Sequence, residues 1–148
     1  MGALAGVGCT MDYVYAVTPF AAWLIAGSLK FLVNSARAGK PAFGLIGYGG
    51  LPSNHSAIVS SMAALIAFRE GIASPAFGVA VTLAFIVILD ASSLRKQVGR
   101  QASAINALTE ASPGAPRLRE RMGHTPVEIG AGIVVGIAVA RAVLLLAS

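Results

Sequence analysis

Charge is what this sequence has least of. Only 11% of its 148 residues are charged, against about 25% in a soluble globular domain. A single cysteine, Cys9, excludes an intrachain disulfide and leaves the redox compartment unread. The first charge is Asp12, so the basic n-region of a signal peptide is missing. The opening Met-Gly-Ala-Leu-Ala-Gly lacks the Ser/Thr of a myristoylation signal. Neither repeats nor a low-complexity tail are visible. What is abundant is apolar: 56% of residues are hydrophobic and mean hydropathy is +0.77. The length suits one domain. These observations predict an all-α integral membrane protein, a single transmembrane domain over 1–148 with no room for a separate soluble one.

A spanning helix needs about 20 mostly apolar residues. Tyr13 to Leu29 is uncharged, with Pro19 inside it. Gly71 to Leu89 is uncharged too, and Ser74-Pro75 reads as an N-cap followed by proline at the first helical position. Pro126 to Ala147 is interrupted only by Glu128 and Arg141. A shorter run, Ser56 to Phe68, reaches spanning length when extended back to Ser53. About four spans are therefore expected, near 13–33, 53–69, 74–90 and 125–147. Residues 38–51 are glycine-rich and read as a loop in which backbone can approach a ligand closely. Asp90 to Leu108 reads as an interfacial amphipathic helix, with Leu94, Val98, Ala102 and Ile105 at helical spacing. Ser112 to Pro116 is a turn-rich linker. Gly132 and Gly136 form a G-x-x-x-G pair suited to close packing within or between chains. Trp23, mid-span, is expected to pack.

Threading these spans back and forth places Lys30, Arg37, Lys40, Arg95, Lys96, Arg100, Arg117, Arg119 and Arg121 on one side. Arg69 and Arg141 fall on the other. Nine of the eleven basic residues thus share one face with segment 91–123, which the positive-inside rule makes cytoplasmic. The net charge of +5 beside long apolar runs favours anionic head groups or a phosphorylated substrate over nucleic acid.

The same threading brings both histidines, His55 and His124, to that face, each at the start of a helix. Lys30, Arg37, Asp90, Arg95 and Glu128 fall near the same level. Two imidazoles among cations and helix N-termini suit phosphoryl chemistry. The cations and N-termini hold phosphate, one histidine attacks phosphorus, and the other protonates the leaving oxygen. Blander readings exist for each residue. Thr125-Pro126-Val127-Glu128 is a capping box, which can also orient His124. Ser53 or Asn54 caps the second helix. Lys30 and Arg37 snorkel at a helix end, and Arg95, Lys96 and Arg100 form a lipid-facing basic stripe.

Lys30 and Arg37, six residues between them, resemble the first signature of the type 2 phosphatidic acid phosphatase superfamily, which includes lipid phosphatases and vanadium haloperoxidases. Pro52-Ser53-Asn54-His55 resembles its second signature, Pro-Ser-Gly-His. His124 with Glu128 resembles its third, where an Asp usually follows the His. Gly-Gly-Leu-Pro-Ser-Asn-His-Ser-Ala (49–57), Asp90 with Leu-Arg-Lys-Gln-Val-Gly-Arg-Gln-Ala (94–102), and Gly-His-Thr-Pro-Val-Glu (123–128) resemble the small divergent bacterial and plant branch.

The resemblance implies a metal-independent phosphatase with no cofactor. In it His124 is the nucleophile, Glu128 orients and charge-stabilises it, and His55 is the general acid. Lys30, Arg37 and Ser53 bind phosphate oxygens, with Asp90, Arg95, Arg119 and Arg121 as further substrate-binding candidates. The sequence departs from the pattern at Leu118, where the third signature has Arg; Arg95 or Arg121 is the candidate replacement. Position 38 is Ala where the family often has Pro, and Asn54 replaces a Gly. The expected function is hydrolysis of a lipid phosphate, either a polyprenyl phosphate or diphosphate or a phosphatidate, in a bacterial inner membrane. The alternatives are a non-catalytic binder or carrier of phosphorylated lipids and a structural membrane protein. A haloperoxidase is not expected. The family's larger members use six helices, so a homodimer that encloses the site is left open.

Overall fold

The computed structural model of the chain describes residues 13–41, 50–110 and 114–147. Cys9, Asp12, Ser112 and the loop glycines Gly44, Gly47 and Gly49 lie outside the described residues. Among the described residues all regular structure is helical: α1 (Tyr13–Ala38), α2 (Asn54–Glu70), α3 (Pro75–Leu89), a π-helical turn (Asp90–Leu94), α4 (Arg95–Thr109) and α5 (Pro126–Leu146). Among the described residues three helices are long and apolar enough to cross a membrane: α1, the continuous stretch Pro75–Thr109 and α5. The shorter α2 has 17 residues.

The helix ends follow their local chemistry. Ser74 caps α3, its hydroxyl accepting from Phe77 N–H at 3.1 Å, and Pro75 opens the helix where no amide donor is needed. Ser53 caps α2 by accepting from Ser56 N–H. Thr125 and Glu128 complete a reciprocal capping box at α5.

Helix α2 packs against α1, α3 and α5. That position explains its serines: Ser56, Ser60 and Ser61 are buried between helices, not in lipid. Their hydroxyls have local acceptors, Ser61 donating to Ile58 O at 2.8 Å and Ser56 to Ser53 Oγ at 3.1 Å. The α5 interface depends on the G-x-x-x-G pair, within the chain. A Cβ at Gly132 would strike the Ser53 carbonyl, and one at Gly136 would lie 2.5 Å from the Ala57 carbonyl. Only hydrogen at both positions lets the backbones come this close. Helix α1 presents its own small stripe, Thr18, Ala22 and Ala26, all fully buried. At the far end of the bundle Tyr15 donates to Glu70 Oε1 at 2.7 Å, so α1 and α2 run antiparallel. Trp23 does not pack within the chain; it is 54% exposed, on a surface that suits lipid.

The helix expected over Asp90–Leu108 is present, but it is not a separate element. Pro75–Thr109 is one 35-residue helix, about 52 Å long at 1.5 Å per residue. That exceeds a hydrocarbon core of about 30 Å, so α4 extends past the apolar span. The π-turn marks the change of environment, Arg95 N–H bonding to Asp90 O five residues back.

Candidate active site

The two parallel helices α2 and α5 start side by side. Ser53 N–H donates to the Glu128 carbonyl at 2.9 Å, tying the first turn of one to the first turn of the other. Both N-termini, with their unpaired amides and positive dipole ends, face the same region. His55 is the second residue of α2, and His124 precedes the cap of α5. Their rings come together with centroids 5.8 Å apart and planes at 59°.

His124 is held on two sides. Its Nδ1 lies 3.0 Å from Glu128 Oε2. A carboxylate only accepts, so Nδ1 carries the proton and Nε2 keeps its lone pair. The same Oε2 accepts Thr125 N–H at 3.0 Å. The cap and the orienting role, read as compatible in the sequence, are therefore one arrangement. On its other side, His124 N–H donates to the carbonyl of Ala91 in the π-turn at 2.9 Å. His124 is 6% exposed.

Charged groups surround the pair. Lys30, Asp90 and Arg95 lie close enough to His55 to interact electrostatically with it, and Lys30 does so with Glu128. Arg95 Nε is 3.7 Å from Asp90 Oδ2, an ion pair longer than a hydrogen bond. In an α-helix five residues is about 1.4 turns, which would put the two on different faces; the i→i+5 pitch of the π-turn aligns them. Among the described residues, Asn54 Oδ1, His55 Nδ1 and Arg95 Nε are buried without a hydrogen-bond partner. Such atoms cost free energy unless something polar reaches them.

The remaining candidates sit elsewhere. Arg37 is exposed in the last turn of α1, two turns beyond Lys30. Arg119 Nε donates to the Arg121 carbonyl at 3.4 Å, and Arg121 lines a groove beside α4. Of the two arginines considered as replacements for the absent third-signature Arg, Arg95 is the one set beside His55. Leu118, at the signature position, has both backbone groups bonded to Asn106, at 2.8 Å each.

That bond belongs to a feature the sequence reading missed. Residues 117–124 form a strap running back along α4 toward the π-turn. Asn106 Nδ2 donates to Leu118 O at 2.8 Å and to Glu120 Oε1 at 2.7 Å, and Ser103 Oγ donates to Glu120 Oε2 at 3.1 Å. Gly99 admits the Glu120 carbonyl where any Cβ would strike it. Gly123, at φ +90°, sits against Lys96, where a Cβ would lie 2.7 Å from its Cγ. The next residue is His124. A readable signal existed: a glycine inside an amphipathic helix costs about 1 kcal/mol relative to Ala and asks for a reason.

Residues 12–139 match the model of the Divergent PAP2 family. A membrane protein of Bacillus subtilis (strain 168), described as "Uncharacterized membrane protein YuiD", is 35% identical over 105 residues. The alignment takes in 60% of this chain and 66% of that protein, so the chain spans a little under two-thirds of the relative's length. No solved structure matches. The family model begins just ahead of α1, takes in the histidine pair and the strap, and ends well inside α5: the chain belongs to the Divergent PAP2 family.

Proposed function

We propose that this protein is a membrane phosphatase that hydrolyses a lipid phosphate through a phosphohistidine intermediate. The observation that carries this reading is the apposition of His55 and His124, with Glu128 fixing the tautomer of His124. An attack distance of about 3–3.5 Å and a general-acid hydrogen bond of about 3 Å are together of the size that 5.8 Å between ring centres accommodates.

In the first step His124 Nε2 attacks phosphorus and the bond to the lipid alkoxide breaks. His55, protonated, gives its proton to the departing oxygen. Glu128 balances the charge on the His124 ring. In the second step water attacks the phosphohistidine, His55 takes the water's proton, and inorganic phosphate leaves with His124 restored. Lys30, Arg95 and the two helix N-termini neutralise the phosphate oxygens, while Ser53 holds the cap of α2. Asp90 keeps Arg95 in place. The bundle forms a single transmembrane domain with α2 as its fourth, enclosed span. With the spans threaded as above, nine of the eleven basic residues fall on the side of the site, and the positive-inside rule then supports a site at the cytoplasmic face of a bacterial inner membrane.

The test is phosphate release from a short-chain polyprenyl phosphate or phosphatidate by the purified protein. Release should persist in chelator and vanish in His124→Ala. Release unchanged in that variant overturns the mechanism. Leu118 at the signature arginine's position favours a second reading, a non-catalytic binder or carrier. That reading is supported if wild-type protein binds the lipid phosphate, loses it in Arg95→Gln, and releases no phosphate.

A further inference from the structure

Asn54 stands where the second signature has a glycine, so this chain sets a side chain beside His55 that the signature lacks. It is the first residue of α2, and its amide reaches across to α1. A Cβ at Gly27 would lie 3.6 Å from Asn54 Nδ2. Gly27 is three residues ahead of Lys30, and residues three apart are neighbours on one helix face. The amide thus meets the face of α1 that carries Lys30, on the same turn of α2 as His55. Among the described residues its Oδ1 is buried without a hydrogen-bond partner.

The neighbouring groups say what that oxygen can receive. An amide oxygen only accepts. Lys30 interacts electrostatically with Glu128, and Arg95 Nε lies 3.7 Å from Asp90 Oδ2. The two carboxylates accept as well, but Glu128 Oε2 already serves His124 and Thr125, and Asp90 faces Arg95. Both carry a charge that repels a phosphoryl group. Asn54 Oδ1 is an uncommitted acceptor, and it is neutral.

The second step of the phosphohistidine reaction needs such an acceptor. The attacking water carries two protons. One passes to His55 as the water oxygen bonds to phosphorus, and the bond from phosphorus to His124 Nε2 breaks with its electron pair returning to the ring. The other proton stays on the oxygen, which leaves as a hydroxyl of inorganic phosphate. A hydrogen bond from this second O–H to a neutral acceptor aims the water's lone pair at phosphorus without setting negative charge beside the phosphoryl oxygens. We propose that Asn54 Oδ1 accepts this bond and so positions the hydrolytic water. The proposal rests on the phosphohistidine reading of the site. No water attacks in the first step, so Asn54 acts on the second step alone.

The two steps are read separately in single turnover, with a short-chain lipid phosphate radiolabelled at phosphorus and a quench in alkali, where phosphohistidine survives. In Asn54→Ala, labelled protein should form as fast as in wild type and decay about 10²-fold more slowly, the cost of misplacing a reacting group. In steady state kcat and KM should fall together, leaving kcat/KM near the wild-type value. Asn54→Gly, which restores the signature residue, should behave alike. Decay at the wild-type rate in both variants overturns the proposal. So does equal slowing of labelling and decay, which assigns Asn54 to packing or to phosphate binding. The absence of labelled protein in wild type and in both variants rejects the phosphohistidine reading itself, and the proposal falls with it.

Discussion

A single oxygen of Glu128 serves the first turn of α5 and the ring of His124. Glu128→Gln separates the two duties. The amide oxygen can still accept Thr125 N–H, so the cap survives, and stability should fall by at most about 1 kcal/mol. The counter-charge to His124 disappears, and phosphate release should drop by about 10²–10⁴-fold, the range for losing acid–base assistance. Thermal unfolding measured beside turnover separates the effects. Much of this level was legible. Thr125, Pro126 and Glu128 spell their own cap, and Ser74-Pro75 does likewise. The Asp90–Arg95 pair was not, because a spacing of five means opposite faces on an α-helix and neighbours only on a π-turn, which no residue in Asp90–Leu94 announces.

Among the elements, α2 and α5 pack through backbone contact at Gly132 and Gly136. Gly136→Val would drive a side chain into the Ala57 carbonyl and Ser61 N, with no flexible neighbour to yield. We expect a loss of about 1–3 kcal/mol, read as a lower midpoint of unfolding in detergent, and a parallel loss of activity as Ser53 and Glu128 part. The strap depends instead on exposed polar contacts. Asn106→Ala should leave the midpoint within about 1 kcal/mol yet make residues 114–123 cleavable by limited proteolysis and lower turnover. The strap should also respond to acid. Because Glu120 is held below the usual carboxylate range, its bonds add stability above the unfolded carboxyl's pKa of about 4.3. That stability is lost as pH falls through the lower folded value, so hydrogen exchange in the strap should be steady at neutral pH and accelerate only in acid. From sequence, 112–116 read as a linker and the strap was invisible, since Asn106 and Gly99 acquire meaning only once Leu118 and Glu120 lie beside them.

At the scale of the molecule, direction through the bilayer ties these parts together. The proposed orientation is checked by Gly114→Cys in a Cys9→Ser background: a membrane-impermeant thiol reagent should label it only after the cytoplasmic face is opened, and labelling from outside would reverse the orientation. The alternation of the helices was readable from threading the apolar runs, and α2 was the weak point because its run is the shortest, broken by serines that the structure buries. Enclosure by three other helices accounts for them. The π-turn also fixes a phase. It contributes one more residue to a turn than the helix on either side, so α4 is clocked relative to α3. Deleting Ser92, whose hydroxyl donates to Leu89 O at 3.1 Å, should convert the turn to ordinary α-helix with Asp90 and Arg95 four apart and still neighbours, whereas an alanine inserted after Ser92 should rotate α4 by about 100°. Asn106, Ser103 and Gly99 would swing off the strap together, and Asp90 would lose Arg95. An insertion that removes no side chain should therefore unseat His124 more completely than any single substitution along the strap. Ser92→Ala, which keeps the count, should leave it in register.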